Sequence, residues 1–82
     1  MAPTADLDEL VRFVVTSLVD YPDDVSIEAK VNADGTLFEV TVNADDVGKV
    51  IGRQGRVIKS IRTLVRAAAS VNGSDAMVEV LG

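Results

Sequence analysis

From Asp6 to about Asp20 the apolar residues Leu7, Leu10, Val11, Val14 and Leu18 recur three or four positions apart, and Thr4 or Asp6 stands where an N-cap would sit. The spacing predicts a helix. Tyr21-Pro22-Asp23-Asp24 ends it, because proline disfavours helical geometry in the residue before it. The period then changes to two. Val25, Ile27, Ala29 and Val31 alternate with Ser26, Glu28, Lys30 and Asn32, and Phe38, Val40 and Val42 alternate with Glu39 and Thr41, which predicts two strands. Asp34-Gly35 lies between them, in a loop short enough for an antiparallel hairpin. Asn43-Ala44-Asp45-Asp46 offers a new cap ahead of a short helix, Val47 to Ile51, closed at Gly52. Gly55 precedes a longer helix, about Arg56 to Ala69, with Val57, Ile61, Leu64, Val65 and Ala68 on one side and Asn72-Gly73 as its stop. Ala76, Val78 and Val80 alternate with Met77, Glu79 and Leu81 as a last strand. The order is α-β-β-α-α-β, an α+β fold whose three-stranded sheet is covered by helices on one face. With 82 residues and no linker or repeat, residues 1–82 are expected to form one domain.

Composition narrows the chemistry. Apolar residues make up 48% of the chain, enough for a core at this size. There is no cysteine and no histidine, which removes thiol nucleophiles, thiolate metal sites and the commonest general base. An enzyme is not expected, and neither is a cofactor. The first residues carry no basic n-region, and no apolar run approaches the roughly 18 residues of a membrane span, so a cytoplasmic protein that does not engage a membrane is expected.

Charge changes the picture more. The net charge is −5, which alone argues against an anionic partner. Yet Lys49, Arg53, Arg56, Lys59, Arg62 and Arg66 fall in one window without an acidic residue, so residues 49–66 carry +6. The other two basic residues, Arg12 and Lys30, stand with all 13 acidic ones and leave −11 elsewhere. An anionic ligand belongs on the basic window.

At the centre of that window is Val50-Ile51-Gly52-Arg53-Gln54-Gly55-Arg56-Val57-Ile58-Lys59, a glycine-bounded loop between two helices. Gly52 can take the left-handed conformation that closes the short helix and, lacking a Cβ, admits a close neighbour, and Gly55 does the same at the other edge. The first amides of the following helix lack internal partners and lie at its positive end, where a phosphate oxygen is favoured. Arg53 and Arg56 add full charges. On a helical wheel Arg56, Lys59, Arg62 and Arg66 fall opposite Val57, Ile61, Leu64 and Val65, which separates a basic face from an anchoring one.

Two glycines three apart are common in turns without function. In this context, however, the sequence resembles the KH family, whose signature is an apolar pair, Ile-Gly-X-X-Gly and then aliphatic residues. Val50-Ile51-Gly52-Arg53-Gln54-Gly55 with Val57, Ile58 and Ile61 matches it, and the element order is that of the bacterial, type II arrangement, as in small single-KH proteins of the KhpA type. The resemblance implies a protein that clamps the backbone of about four nucleotides of single-stranded RNA and presents their bases to an aliphatic groove. A post-transcriptional regulator or RNA chaperone would fit it. Carried over residue by residue, Gly52, Arg53, Gln54 and Gly55 are the clamp, Ile51 borders it, and Lys49, Arg56 and Lys59 supply charge. Ile51, Ile58 and the exposed edge of the second strand, Phe38 to Val42, are the groove candidates. Phe13, Tyr21 and Phe38 are the only aromatics and none is near the loop, so base stacking is not expected and sequence discrimination should be weak.

Other readings fare less well. Asp45 and Asp46 are a helix cap sooner than a metal site, and no metal is expected. Neither Gly-X-Gly-X-X-Gly nor Gly-X4-Gly-Lys-Ser/Thr occurs, which disfavours a nucleotide-binding enzyme. A short helix, a glycine turn and a basic helix also suit a DNA-reading helix-turn-helix, but the hairpin and the last strand favour KH. The rival from another class is an interaction module. In the first helix Leu7, Leu10, Val11, Phe13, Val14, Val15, Leu18 and Val19 cover about two thirds of the circumference, more than one small sheet needs. A homodimer, or a heterodimer with another KH-type RNA-binding protein, would bury the excess.

Overall fold

The computed structural model describes the backbone of residues 3–81 and the side chains of residues 7–81. Helix α1 (Pro3–Leu18) leads through a 3-10 turn at Pro22–Asp24 to strands β1 (Ser26–Asn32) and β2 (Gly35–Thr41). A second 3-10 turn, Ala44–Asp46, runs into α2 (Val47–Ile51), a third, Arg53–Gly55, into α3 (Arg56–Val71), and β3 (Ala76–Leu81) follows. The order is the one expected, with three short turns that hydrophobic spacing does not register. Because α1 already contains Thr4 and Asp6, neither is an N-cap by backbone position, and their side chains lie outside the described residues, as do residues 1, 2 and 82.

The sheet order is β1-β2-β3. β1 and β2 are antiparallel, from Ser26 opposite Thr41 to Asn32 opposite Gly35, around a two-residue turn in which the Asp34 amide donates to Asn32 Oδ1 at 2.8 Å. β3 returns parallel to β2, a pairing that needs a crossover such as α2 and α3 supply, with Phe38 opposite Val78 and Val40 opposite Val80. Period-two alternation then sorts the faces. Phe38, Val40, Ala76 and Val78 are buried under the helices, while Glu28, Lys30, Glu39, Met77 and Glu79 line the uncovered face. All three helices thus pack on one face, as the pattern implied.

β2 is the central strand, bonded on both edges, and Phe38 and Val40 are wholly buried. The expected groove along an exposed edge of β2 is therefore ruled out. The free edges are β1 and β3. The apolar side of β1 is largely uncovered, with Val31 68% exposed.

The long helices also differ from the wheel. In α1 the buried line is Leu7, Val11 and Val15, while Leu18 is exposed and Phe13 is 71% exposed. In α3 the buried residues are Ile58, Ile61, Val65 and Ala69, spaced three and four apart, and Leu64 is exposed. Ile58, a groove candidate, is thus a core residue. Arg62, four positions after Ile58, lies at the margin of the buried stripe and not opposite it.

The end of α1 is tied down from a distance. Asp46, fully buried, accepts the backbone amides of Asp20 and Tyr21 at 3.0 Å each. It is a staple across the fold and makes no side-chain cap on α2. No helix among the described residues is long and apolar enough to cross a membrane.

Candidate nucleic-acid interface

α2 ends at Gly52, whose amide donates to the Gly48 carbonyl at 2.8 Å. Its φ of 77° and ψ of 173° lie in a region that is essentially glycine's alone. A Cβ here would also collide with the Val57 side chain. The demand for glycine is thus internal, since the chain doubles back against the first turn of α3. Gln54 (φ 57°, ψ 22°) and Gly55 (φ 73°, ψ 19°) are both left-handed, and a Cβ on Gly55 would meet no crowding.

These conformations decide which amides are free. The Gly55 amide donates to the Gly52 carbonyl at 3.2 Å, and that of Arg56 to the Arg53 carbonyl, closing the 3-10 turn. Two amides that an anion might have used are therefore engaged. The amides of Arg53 and Gln54 have no backbone acceptor among the described residues. They sit between Gly52 and Gly55, both at positive φ, ahead of the 16-residue α3, whose positive end adds to their field. The loop therefore offers two amides without backbone acceptors to an anionic oxygen.

The side chains divide into free and committed. Arg53 and Gln54 are exposed, and Arg56 Nη2 donates to Gln54 Oε1 at 3.2 Å, steadying the loop's outer edge. Among the described residues Arg53, Arg56 and Lys59 meet no carboxylate, so their charges face solvent. Lys49, expected beside them, is turned away. Its ammonium bonds Asp20 and also Asp46 at 3.2 Å, and these hydrogen bonds raise its pKa above the ordinary lysine value. Burial pushes the Asp46 carboxyl up, but the Asp20 amide, the Lys49 ammonium and the Tyr21 amide outweigh it and hold the group below the usual carboxylate range. Arg66 lies within 3.5 Å of Asp75. Ile51, partly buried, flanks the loop from α2. No cluster of metal-ligating side chains occurs among the described residues.

The structure thus brings Ile51, Gly52, Arg53, Gln54, Gly55, Arg56 and Lys59 to one end of the molecule, with Lys49 on its flank and already paired. Sequence reasoning placed Arg62 on the basic face and missed its tie to β3. Its Nε donates to the Val78 carbonyl at 2.8 Å, bridging α3 and β3. The spacing of four from Ile58 was the available signal.

Comparison with known proteins matches residues 8–80 to a family model described as KhpA/KhpB, KH domain. The chain is 42% identical over 73 residues to the RNA-binding protein KhpA of Clostridium perfringens, covering 89% of this chain and 97% of that one. It is 54% identical over 56 residues to the RNA-binding protein KhpA of Leifsonia xyli, 68% of this chain and 74% of that one. Against the RNA-binding protein KhpA of Lactiplantibacillus plantarum it is 49% identical over 61 residues, 74% of this chain and 72% of that one.

Proposed function

This chain belongs to the KhpA/KhpB family of KH domains, and from that premise we propose that it is a cytoplasmic RNA-binding protein, not an enzyme, that holds single-stranded RNA by its backbone at Gly52-Arg53-Gln54-Gly55. The relatives are named RNA-binding proteins, and the observation that carries the assignment to this loop is its geometry. Two amides without backbone acceptors among the described residues, at Arg53 and Gln54, lie between Gly52 and Gly55, beside the cations Arg53, Arg56 and Lys59, which meet no carboxylate among those residues. Such a site takes phosphate oxygens and ignores base identity. One KH unit spanning residues 1–82, acting as a post-transcriptional regulator or RNA chaperone, fits this reading. Lys49 belongs to its support, since it holds α2 to the end of α1 through Asp20 and Asp46.

Replacing Arg53 and Gln54 together by Asp tests the clamp, because both are exposed and the two glycines that set the backbone remain. Circular dichroism should be unchanged, and anisotropy with a short unstructured RNA should show at least a tenfold loss of affinity. A folded double variant that binds like the parent removes the loop from the site.

A second reading runs beside the first. Phe13, 71% exposed on α1, favours pairing with a second copy or with another KH-type RNA-binding protein.

A further inference from the structure

Arg62 is the one cation of the basic segment whose head group is folded back onto the backbone of a strand. β3 has β2 as its sole neighbour in the sheet. Successive residues of a strand turn their backbone groups to opposite edges. The Thr36 amide takes the Asp75 carbonyl, so Asp75 faces β2 while Val78, odd-numbered steps away, faces the open edge. The Val78 carbonyl that accepts Arg62 Nε is therefore on the free edge, and the guanidinium lies against that edge, partly buried.

Among the described residues Nε is the only engaged donor of Arg62, which leaves the planar fork of Nη1 and Nη2 free. Anchoring Nε fixes the orientation of that plane. Arg62 also lies six residues beyond Arg56, about 9 Å along the helix, within the span of a strand of about four nucleotides held at the loop.

We infer that Arg62 is a specificity-determining residue of the RNA site, reading a base with two acceptors on one edge, as guanine offers with O6 and N7. The inference rests on the RNA-binding reading above and deepens it by adding a base contact to a site otherwise made for phosphates. An arginine fork matches that acceptor pair in a bidentate way that a point charge cannot. The order of contacts follows: the loop holds the backbone, and Arg62 at the edge of β3 reads one base.

The test measures anisotropy with five-nucleotide oligouridines carrying A, C or G at the central position. The parent protein should bind the guanine-containing strand about tenfold more tightly than the others. Arg62→Lys, which keeps the charge, should erase that preference, so that the folded variant binds all four strands alike. Because a variant can fail for want of folding, the parent is also measured with 7-deazaguanine, which lacks the N7 acceptor, and the preference should vanish there too. A preference that is absent, that survives Arg62→Lys in a folded variant, or that survives 7-deazaguanine overturns the base contact and leaves the backbone clamp standing. Equal weakening of all strands by Arg62→Lys makes Arg62 a phosphate contact and also overturns it. Failure of the parent to bind any strand removes the RNA-binding reading, and the base contact with it.

Discussion

Two residues of the site region are governed by what surrounds them more than by their own type. Gly52 is a glycine because Val57 occupies the space where a side chain would project and because its φ of 77° with ψ of 173° excludes other residues. Asp46 is buried at no loss because two amides and an ammonium satisfy it. Its pH dependence follows from sign. The carboxyl titrates below its ordinary value in the fold, so the stability it contributes is complete above the unfolded-state pKa of about 4 and is lost as pH falls through the folded-state value. Asp46→Asn should therefore unfold at lower urea than the parent at pH 7, and the gap should narrow steadily below pH 4. A gap that is constant from pH 7 to pH 2 would remove the carboxylate's charge from the explanation. The pairing of Asp46 with a segment 26 residues earlier is long-range, so in the sequence it read only as a cap.

At the scale of elements, what the sequence made legible was periodicity, and what it hid was partnership. Alternation located β1, β2 and β3, and three-four spacing located the helices, because burial on one face leaves that imprint. Nothing in the alternation of Phe38, Val40 and Val42 says that two strands flank β2, so its edge was misread as open. The stripe on α3 was misassigned in the same way, since Leu64 is as apolar as Ile61 but has no neighbour above it. The loop and its cations were legible because the signature is local. Their division was not, because it depends on ion pairs to distant acids. That division makes Arg56 and Arg66 unequal. Arg66 is exposed beside Asp75 and about 15 Å along the helix from Arg56, beyond a Debye length at physiological salt. Arg56→Glu should weaken binding of a short RNA tenfold or more, and Arg66→Glu by no more than about twofold. The parent's log affinity should fall with log salt at a slope near −2 to −3, as expected for three or four phosphates on a single strand. Equal losses from the two variants, with a steeper slope, would mean that the whole basic face tracks the strand.

For the molecule as a whole, the charge separation of the sequence becomes a separation of surfaces. Glu28, Glu39 and Glu79 face one another across the uncovered side of the sheet, with Lys30 bonded to Glu39 at 2.9 Å, while Arg53, Arg56 and Lys59 gather at the loop. An acidic protein can therefore offer phosphate one favourable approach. The exposed Phe13 belongs to a third region, on α1. If it is a pairing surface, light scattering should find the parent associated at high concentration and Phe13→Asp shifted toward monomer, since a charge in a desolvated apolar contact costs several kcal/mol by order of magnitude. A parent that stays monomeric removes self-pairing. The central claim, that RNA is held at Gly52–Gly55, is tested most directly by mapping amide chemical shifts while a short unstructured RNA is titrated in. The largest changes should fall on Arg53, Gln54 and their neighbours through Lys59, with the row of Glu28, Glu39 and Glu79 unmoved. Changes centred on α1 or on the hairpin, with the loop amides still, would contradict it.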